Sequence, residues 1–118
     1  MRILDVDAVA PQEARSITEH LVPGEEVQAV FRSPSAAVLF SAARIVLVER
    51  NSLLDEKVET SSFSYRAIQQ FSVTESSSEG ARVALKIWLG TDPQPLHLRA
   101  APGTDLRPLQ QLLAGKLG

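Results

Sequence analysis

Two histidines and the absence of cysteine limit the chemistry open to this 118-residue chain. We place His20 near the end of a predicted helix and His97 on the outward face of the last predicted strand, and neither has a carboxylate at metal-ligand spacing. Without cysteine, disulfides, zinc-thiolate sites and thiol catalysis are excluded. The sequence also lacks a glycine-rich phosphate loop, a serine nucleophile elbow and a metalloprotease motif. We therefore predict a protein that is not an enzyme and needs no metal or cofactor.

The single tryptophan, Trp88, lies in the segment with the clearest alternation of apolar and polar residues. If every second residue from Val83 to Leu89 fills the core, Trp88 points outward beside Lys86. Two interpretations stay open. Trp88 lies under another segment of its own chain, or it anchors a subunit or ligand interface, where tryptophan is enriched. Because large exposed apolar patches usually mark a contact, we name Trp88 and Lys86 as interface candidates.

A second hint of association is the apolar run from Ile45 to Val48. In a strand, Ile45 and Leu47 cannot share a face with Val46 and Val48, so both faces of this strand are apolar. One pair belongs to the core, and the other meets either a neighbouring subunit or the N-terminal helix. We name Val46 and Val48 as further interface candidates.

The sequence pattern predicts that the elements positioning these residues form a mainly β fold. The pattern predicts seven short antiparallel strands forming a barrel or orthogonal sandwich over residues 25–100, within a single domain spanning 1–118. A short helix is predicted over about 11–21, and a capping helix over about 104–115. The C-terminal helix carries an apolar stripe that requires burial, and we expect it to close one end of the barrel. The stripe consists of Leu106, Leu109, Leu112, Leu113 and Leu117.

Composition narrows the class of protein further. Twelve basic and 14 acidic residues give a formal charge of −2, which offers no general attraction to nucleic acid. No apolar run approaches the roughly 20 residues of a membrane-spanning helix, and no signal-peptide core follows the N-terminus. We expect a cytoplasmic protein.

The order of segments from Lys57 to Leu98 resembles the bacterial pleckstrin-homology (PH) domain family. A strand, a corner bearing Tyr65, a strand, a polar hairpin and the Trp88 strand follow one another there. Upstream, residues 21–27 look like the family's entry into its first strand. Residues 40–44 are similar to its Phe-Thr-Asn-Lys-Arg hairpin, with Phe40 and Arg44 kept and Ser-Ala-Ala between them. We predict a structural corner at Tyr65 and Arg44, with the Tyr65 hydroxyl reaching Arg44 or a backbone carbonyl.

The resemblance implies a non-enzymatic domain that assembles with itself into homo-oligomers, rings among them. It does not imply phosphoinositide binding, because only Arg32 and Arg44 lie near the first hairpin and phosphate needs several convergent donors. The leading interpretation is a self-assembling scaffold or protein-interaction module that also contacts other proteins. The alternatives are a peripheral membrane module that binds anionic lipid, and a peptide-binding adaptor that adds a strand to a sheet edge.

Overall fold

The computed structural model describes residues 3–9, 24–51, 57–75 and 80–117. The predicted helix at 11–21 lies outside these residues. The described elements are β1 (Ile3–Val9), β2 (Val27–Arg32), β3 (Ala36–Ser41), β4 (Arg44–Asn51), β5 (Lys57–Ser64), a 3₁₀ helix (Tyr65–Ala67), β6 (Ile68–Thr74), β7 (Val83–Leu89), β8 (Leu96–Ala100) and α1 (Arg107–Leu117). The prediction of a mainly β chain with a C-terminal helix is confirmed.

Eight strands are present in the described residues, so the expected number of seven is wrong. The missed strand is β1, in which Leu4 and Val6 are buried while Ile3 and Asp5 are exposed. Its pairing with β8 is parallel, so the strands are not all antiparallel as predicted. The alternation Ile-Leu-Asp-Val-Asp was the sequence signal for this strand.

The chain divides into two compact units, and each is described by itself. The first unit contains residues 1–7 and 65–118, with strand order β1-β8-β7-β6. Its buried side chains come from alternate positions of the strands, as the burial of β7 and β8 shows. The helix α1 packs against the 3₁₀ helix and β6. The single domain over residues 1–118 stays a prediction.

The leucine stripe explains why α1 forms and where it lies. Leu106, Leu109 and Leu113 are buried, whereas Leu117 is 45% exposed and does not extend the buried stripe as expected. The helix begins at Arg107 rather than near residue 104, because the Asp105 carboxylate accepts the Arg107 backbone N–H at 3.0 Å. At the other end, Lys116 lies over the buried ring of Tyr65, 5.5 Å from its centroid.

The second unit contains residues 8–64, with strand order β2-β3-β4-β5. Both faces of β3 and of residues 45–47 of β4 are buried. Phe31 and Phe40 meet edge to face at 6.1 Å on one face, beside Val38, Ile45 and Leu47. The other face holds a cluster of Val30, Ala37, Leu39 and Val46, against which Val9, Val27 and Val48 pack. In the alternation along β2, Val30 shares its side with the polar residues Gln28 and Arg32, yet it is only 2% exposed because it belongs to this cluster.

Candidate interaction surface on the β1-β8-β7-β6 sheet

The outward face of the first unit's sheet is built by strict alternation along β7. Val83, Leu85, Ile87 and Leu89 are buried, whereas the residues between them are half-buried. Strand register then determines which outward residues are neighbours. Lys86 lies opposite His97 of β8 and Ser72 of β6, and His97 in turn lies opposite Ile3 of β1. One row across the sheet therefore carries Ser72, Lys86, His97 and Ile3. We call this row, with Trp88 and its neighbour Gln70, the outward face.

The outward face combines apolar surface with positive charge. Ile3 is 61% exposed, one of the largest exposures of an apolar side chain in the described residues. Trp88 and Lys86 are half-buried. Aromatic side chains such as that of Trp88 are enriched at protein–protein interfaces.

An ion pair borders this row. Arg99 of β8 donates from Nε to Asp5 Oδ1 at 2.6 Å and from Nη2 to Asp5 Oδ2 at 2.9 Å. These hydrogen bonds lower the pKa of Asp5 and raise that of Arg99. Because both side chains are about half-exposed, the pair contributes little to stability.

His97 is the titratable residue at the centre of the row. Partial burial lowers its pKa, and the positive charges of Lys86 and Arg99 lower it further, while Asp5 acts in the opposite direction. An imidazole with a lowered pKa is mostly neutral at pH 7, so the row carries the charge of Lys86 without a second cation beside it.

A second constellation lies at the β3–β4 hairpin of the second unit. The Ser41 hydroxyl lies 2.6 Å from Glu25 Oε2, and it accepts the backbone N–H groups of Ala43 at 3.1 Å and Arg44 at 3.0 Å. Arg44 donates to both oxygens of Glu25, at 3.0 and 3.1 Å, and to the Ser62 hydroxyl at 2.8 Å. Ser41 is fully buried and the Glu25 side chain is 7% exposed.

This network explains how the hairpin turns without asparagine or glycine at positions 42 and 43. Phe40 pairs with Ile45, so four residues form the loop, and the described residues other than glycine all have negative φ. Loops of this length are most often built around a type I turn, which accepts most residues at negative φ. The Ser41 side chain supplies the acceptor that satisfies the turn's backbone. The Glu25 hydrogen bonds raise the pKa of Arg44, which keeps the ion pair charged.

Residues 3–117, which include both constellations, match the family model described as Bacterial PH domain. The chain belongs to the bacterial PH domain family. This PH domain is 32% identical over 95 residues to the uncharacterized protein YjqA of Bacillus subtilis (strain 168), covering 80% of the chain and 76% of YjqA.

Two solved structures show the same fold. A DUF1696 family protein with a pleckstrin-homology domain from Shewanella loihica PV-4 superimposes with a TM-score of 0.74 at 23% identity, over 94% of this chain and 96% of that one. A pleckstrin homology domain from Shewanella amazonensis SB2B gives a TM-score of 0.66 at 26% identity, over 92% and 98% of the two chains. The fold of this chain is therefore PH-like and mainly β, with a C-terminal helix.

The predicted site residues of this PH domain fall in different places. Lys86 and Trp88 lie on the outward face, as the alternation predicted. Val48 is half-buried, whereas Val46 is 1% exposed within its own chain and offers a partner no surface. We therefore leave Val46 out of the interface proposed below.

The structure shows the contacts of the two predicted corner residues, Arg44 and Tyr65. Arg44 binds Glu25 and Ser62, and Tyr65 is 5% exposed beneath Lys116. Reasoning from the sequence missed Glu25 and Asp5. Both pair with residues distant in the chain, and no local pattern identifies such partners.

Within the described part of the chain, no three histidine, cysteine, aspartate or glutamate side chains come together as a metal site would require. No described helix has the length and hydropathy needed to span a bilayer.

Proposed function

We propose that this PH domain is a non-enzymatic module of the cytoplasm that assembles with copies of itself and serves as a scaffold or protein-interaction unit. The observation that carries the proposal is the outward face of the β1-β8-β7-β6 sheet. There a tryptophan, an exposed isoleucine and a lysine share one side of the sheet with a histidine of lowered pKa.

The composition of that face favours a protein partner over the alternatives. Membrane and phosphate ligands require several convergent cations. Here Arg99 is already engaged by Asp5, which leaves Lys86 as the main positive charge in the row. Trp88 and Ile3 instead offer apolar area of the kind that anchors protein contacts. Self-association, rings among its forms, agrees with what the family resemblance implies.

Size-exclusion chromatography coupled to light scattering tests the proposal. We expect the wild-type chain to run as an oligomer at micromolar concentration and Trp88→Ala to run at lower mass while its circular dichroism spectrum is unchanged. Lys86→Glu should also lower the mass, whereas Arg32→Glu, an equal charge change at an exposed position in the second unit, should not.

Three results separate the alternatives. A wild-type monomer at micromolar concentration contradicts the self-assembly proposal. Salt-sensitive co-sedimentation with anionic liposomes, lost in Lys86→Glu, supports a lipid-binding module in its place. If Trp88→Ala unfolds, Trp88 belongs to the core. The mass of Lys86→Glu is then the measurement that tests whether the outward face is an interface.

A further inference from the structure

The outward face contains one side chain whose charge changes near neutral pH. His97 lies in the middle of the row, opposite Lys86 of β7 and Ile3 of β1. Histidine is the side chain whose ordinary pKa falls between pH 5 and 8, whereas carboxylates titrate below this range and lysine and arginine above it. The row therefore changes its charge at one position, which is the neighbour of its exposed isoleucine.

The surroundings of His97 disfavour a charged imidazole. Lys86 occupies the directly opposed position of an antiparallel pair, where Cα atoms are about 4.5–5.5 Å apart. Arg99 lies two positions further along β8 and therefore on the same side of the sheet. Asp5 of β1 acts in the opposite direction, but both of its oxygens accept hydrogen bonds from Arg99. A protonated His97 thus lies beside two cations and one carboxylate that is already engaged.

The other charged groups on this side of the sheet do not compensate a second positive charge. Arg82 is exposed and acts electrostatically on Asp5, and the exposed Asp7 lies two positions after Asp5 on β1. Together with Lys86 and Arg99, these groups are three cations against two carboxylates. They leave one net positive charge while His97 is neutral and two once it is protonated. A contact that covers this side of the sheet must therefore bury more uncompensated charge at low pH.

We propose that pH controls self-association through the outward face: copies bind one another while His97 is neutral and separate when it is protonated. This inference rests on the function proposed above, and the partner is a second copy of the chain. A contact over the row removes water from an imidazole that is already half-buried, and burial disfavours its charged form. The assembled chain then binds fewer protons than the separated one. By linkage, association is strongest above the pKa of the separated chain and weakens as pH falls through it.

The dissociation constant at two pH values tests the proposal. We expect light scattering over a concentration series to show a rise of about three- to tenfold from pH 7.5 to pH 5.5, because histidine titrates within this interval. His97→Gln, neutral throughout, should give the same dissociation constant at both pH values. His97→Lys, charged throughout, should associate weakly at both. Circular dichroism at each pH confirms that the chains compared are folded.

The chain has one other histidine, His20, and it provides the matched control. His20→Gln should keep the pH dependence of the wild type. A pH dependence that persists in His97→Gln would overturn the inference. A wild-type oligomer whose dissociation constant is the same at pH 7.5 and pH 5.5 also overturns it, but leaves the proposed self-assembly intact. A wild-type monomer at pH 7.5 instead contradicts the self-assembly itself.

Proton uptake gives a second measurement that does not depend on whether the variants of His97 fold. Dilution calorimetry of the wild-type chain and of His20→Gln at pH 6, in buffers of different ionisation enthalpy, counts the protons that each chain takes up as the oligomer dissociates. We expect a net uptake in both proteins, because the separated chain binds protons more tightly at His97. Dissociation without proton uptake would contradict control of the contact by His97.

Discussion

Replacing Ser41 with alanine should destabilise the chain more than its small loss of volume suggests. Its hydroxyl is fully buried, hydrogen-bonds to the nearly buried Glu25 carboxylate and accepts two backbone N–H groups of the turn. In Ser41→Ala the carboxylate loses a donor and two amides lose an acceptor, while Arg44 continues to bind Glu25.

The size of the stability loss depends on how many of the lost hydrogen bonds water can replace. A hydrogen bond to a charged group contributes about 1.5–3 kcal/mol, and an unsatisfied buried polar group costs about 1–3 kcal/mol. Because Ala43 is exposed and Arg44 is half-buried, water reaches their N–H groups and reduces the loss there. We therefore expect Ser41→Ala to lower the free energy of unfolding by about 2–3 kcal/mol, which for a chain of this size lowers Tm by about 10 °C.

Urea denaturation followed by circular dichroism measures this loss. Ser35→Ala, at an exposed position of the preceding turn, is the control and should change stability by less than about 0.5 kcal/mol. A double-mutant cycle of Ser41→Ala with Glu25→Ala should give a coupling of at least about 1 kcal/mol. A loss below about 0.5 kcal/mol in Ser41→Ala, or additivity in the cycle, would refute the view that this network holds the hairpin.

Two other predictions concern the first unit. Leu113→Ala should cost about 2–5 kcal/mol, because Leu113 is fully buried, whereas Leu117→Ala should cost less than about 0.5 kcal/mol in the same urea titration; equal losses would contradict the observed stripe. The pKa of His97 is lower in the folded chain than the value of about 6.5 of an unfolded histidine, so the unfolded state takes up this proton first as pH falls. The His97 contribution to stability is therefore complete above that pH and decreases below it. His97→Gln should flatten this part of the pH–stability curve, and an unchanged curve would show that His97 does not contribute.

Alternation was the most reliable guide to the fold. It predicted the buried side of β7 residue by residue, because a strand with one face on the core leaves that pattern in its own sequence. The leucine spacing likewise predicted α1, although not that Leu117 is exposed at its end. The sequence of β1 has the same alternation of apolar and polar residues over fewer positions. Its parallel pairing with β8 was not predictable, because the partner residues are more than 90 positions away in the chain.

Features created by distant contacts were not predictable in this way. Val30 follows the pattern of an outward residue, yet it is buried because Ala37 and Leu39 of β3 share its face. Glu25 is 16 residues from Ser41 and 19 from Arg44, and nothing near Glu25 in the sequence indicates that its carboxylate is nearly buried. The opposed Glu49 and Glu59 became visible only once the register of β4 and β5 was known.

Trp88 fluorescence during dilution tests self-association through the outward face most directly, because it is the only tryptophan in the chain. We expect its emission maximum to shift to longer wavelength as the protein is diluted from micromolar to nanomolar concentration, in parallel with the fall in mass. A mass that falls while the emission stays constant would show that the chain assembles through another surface.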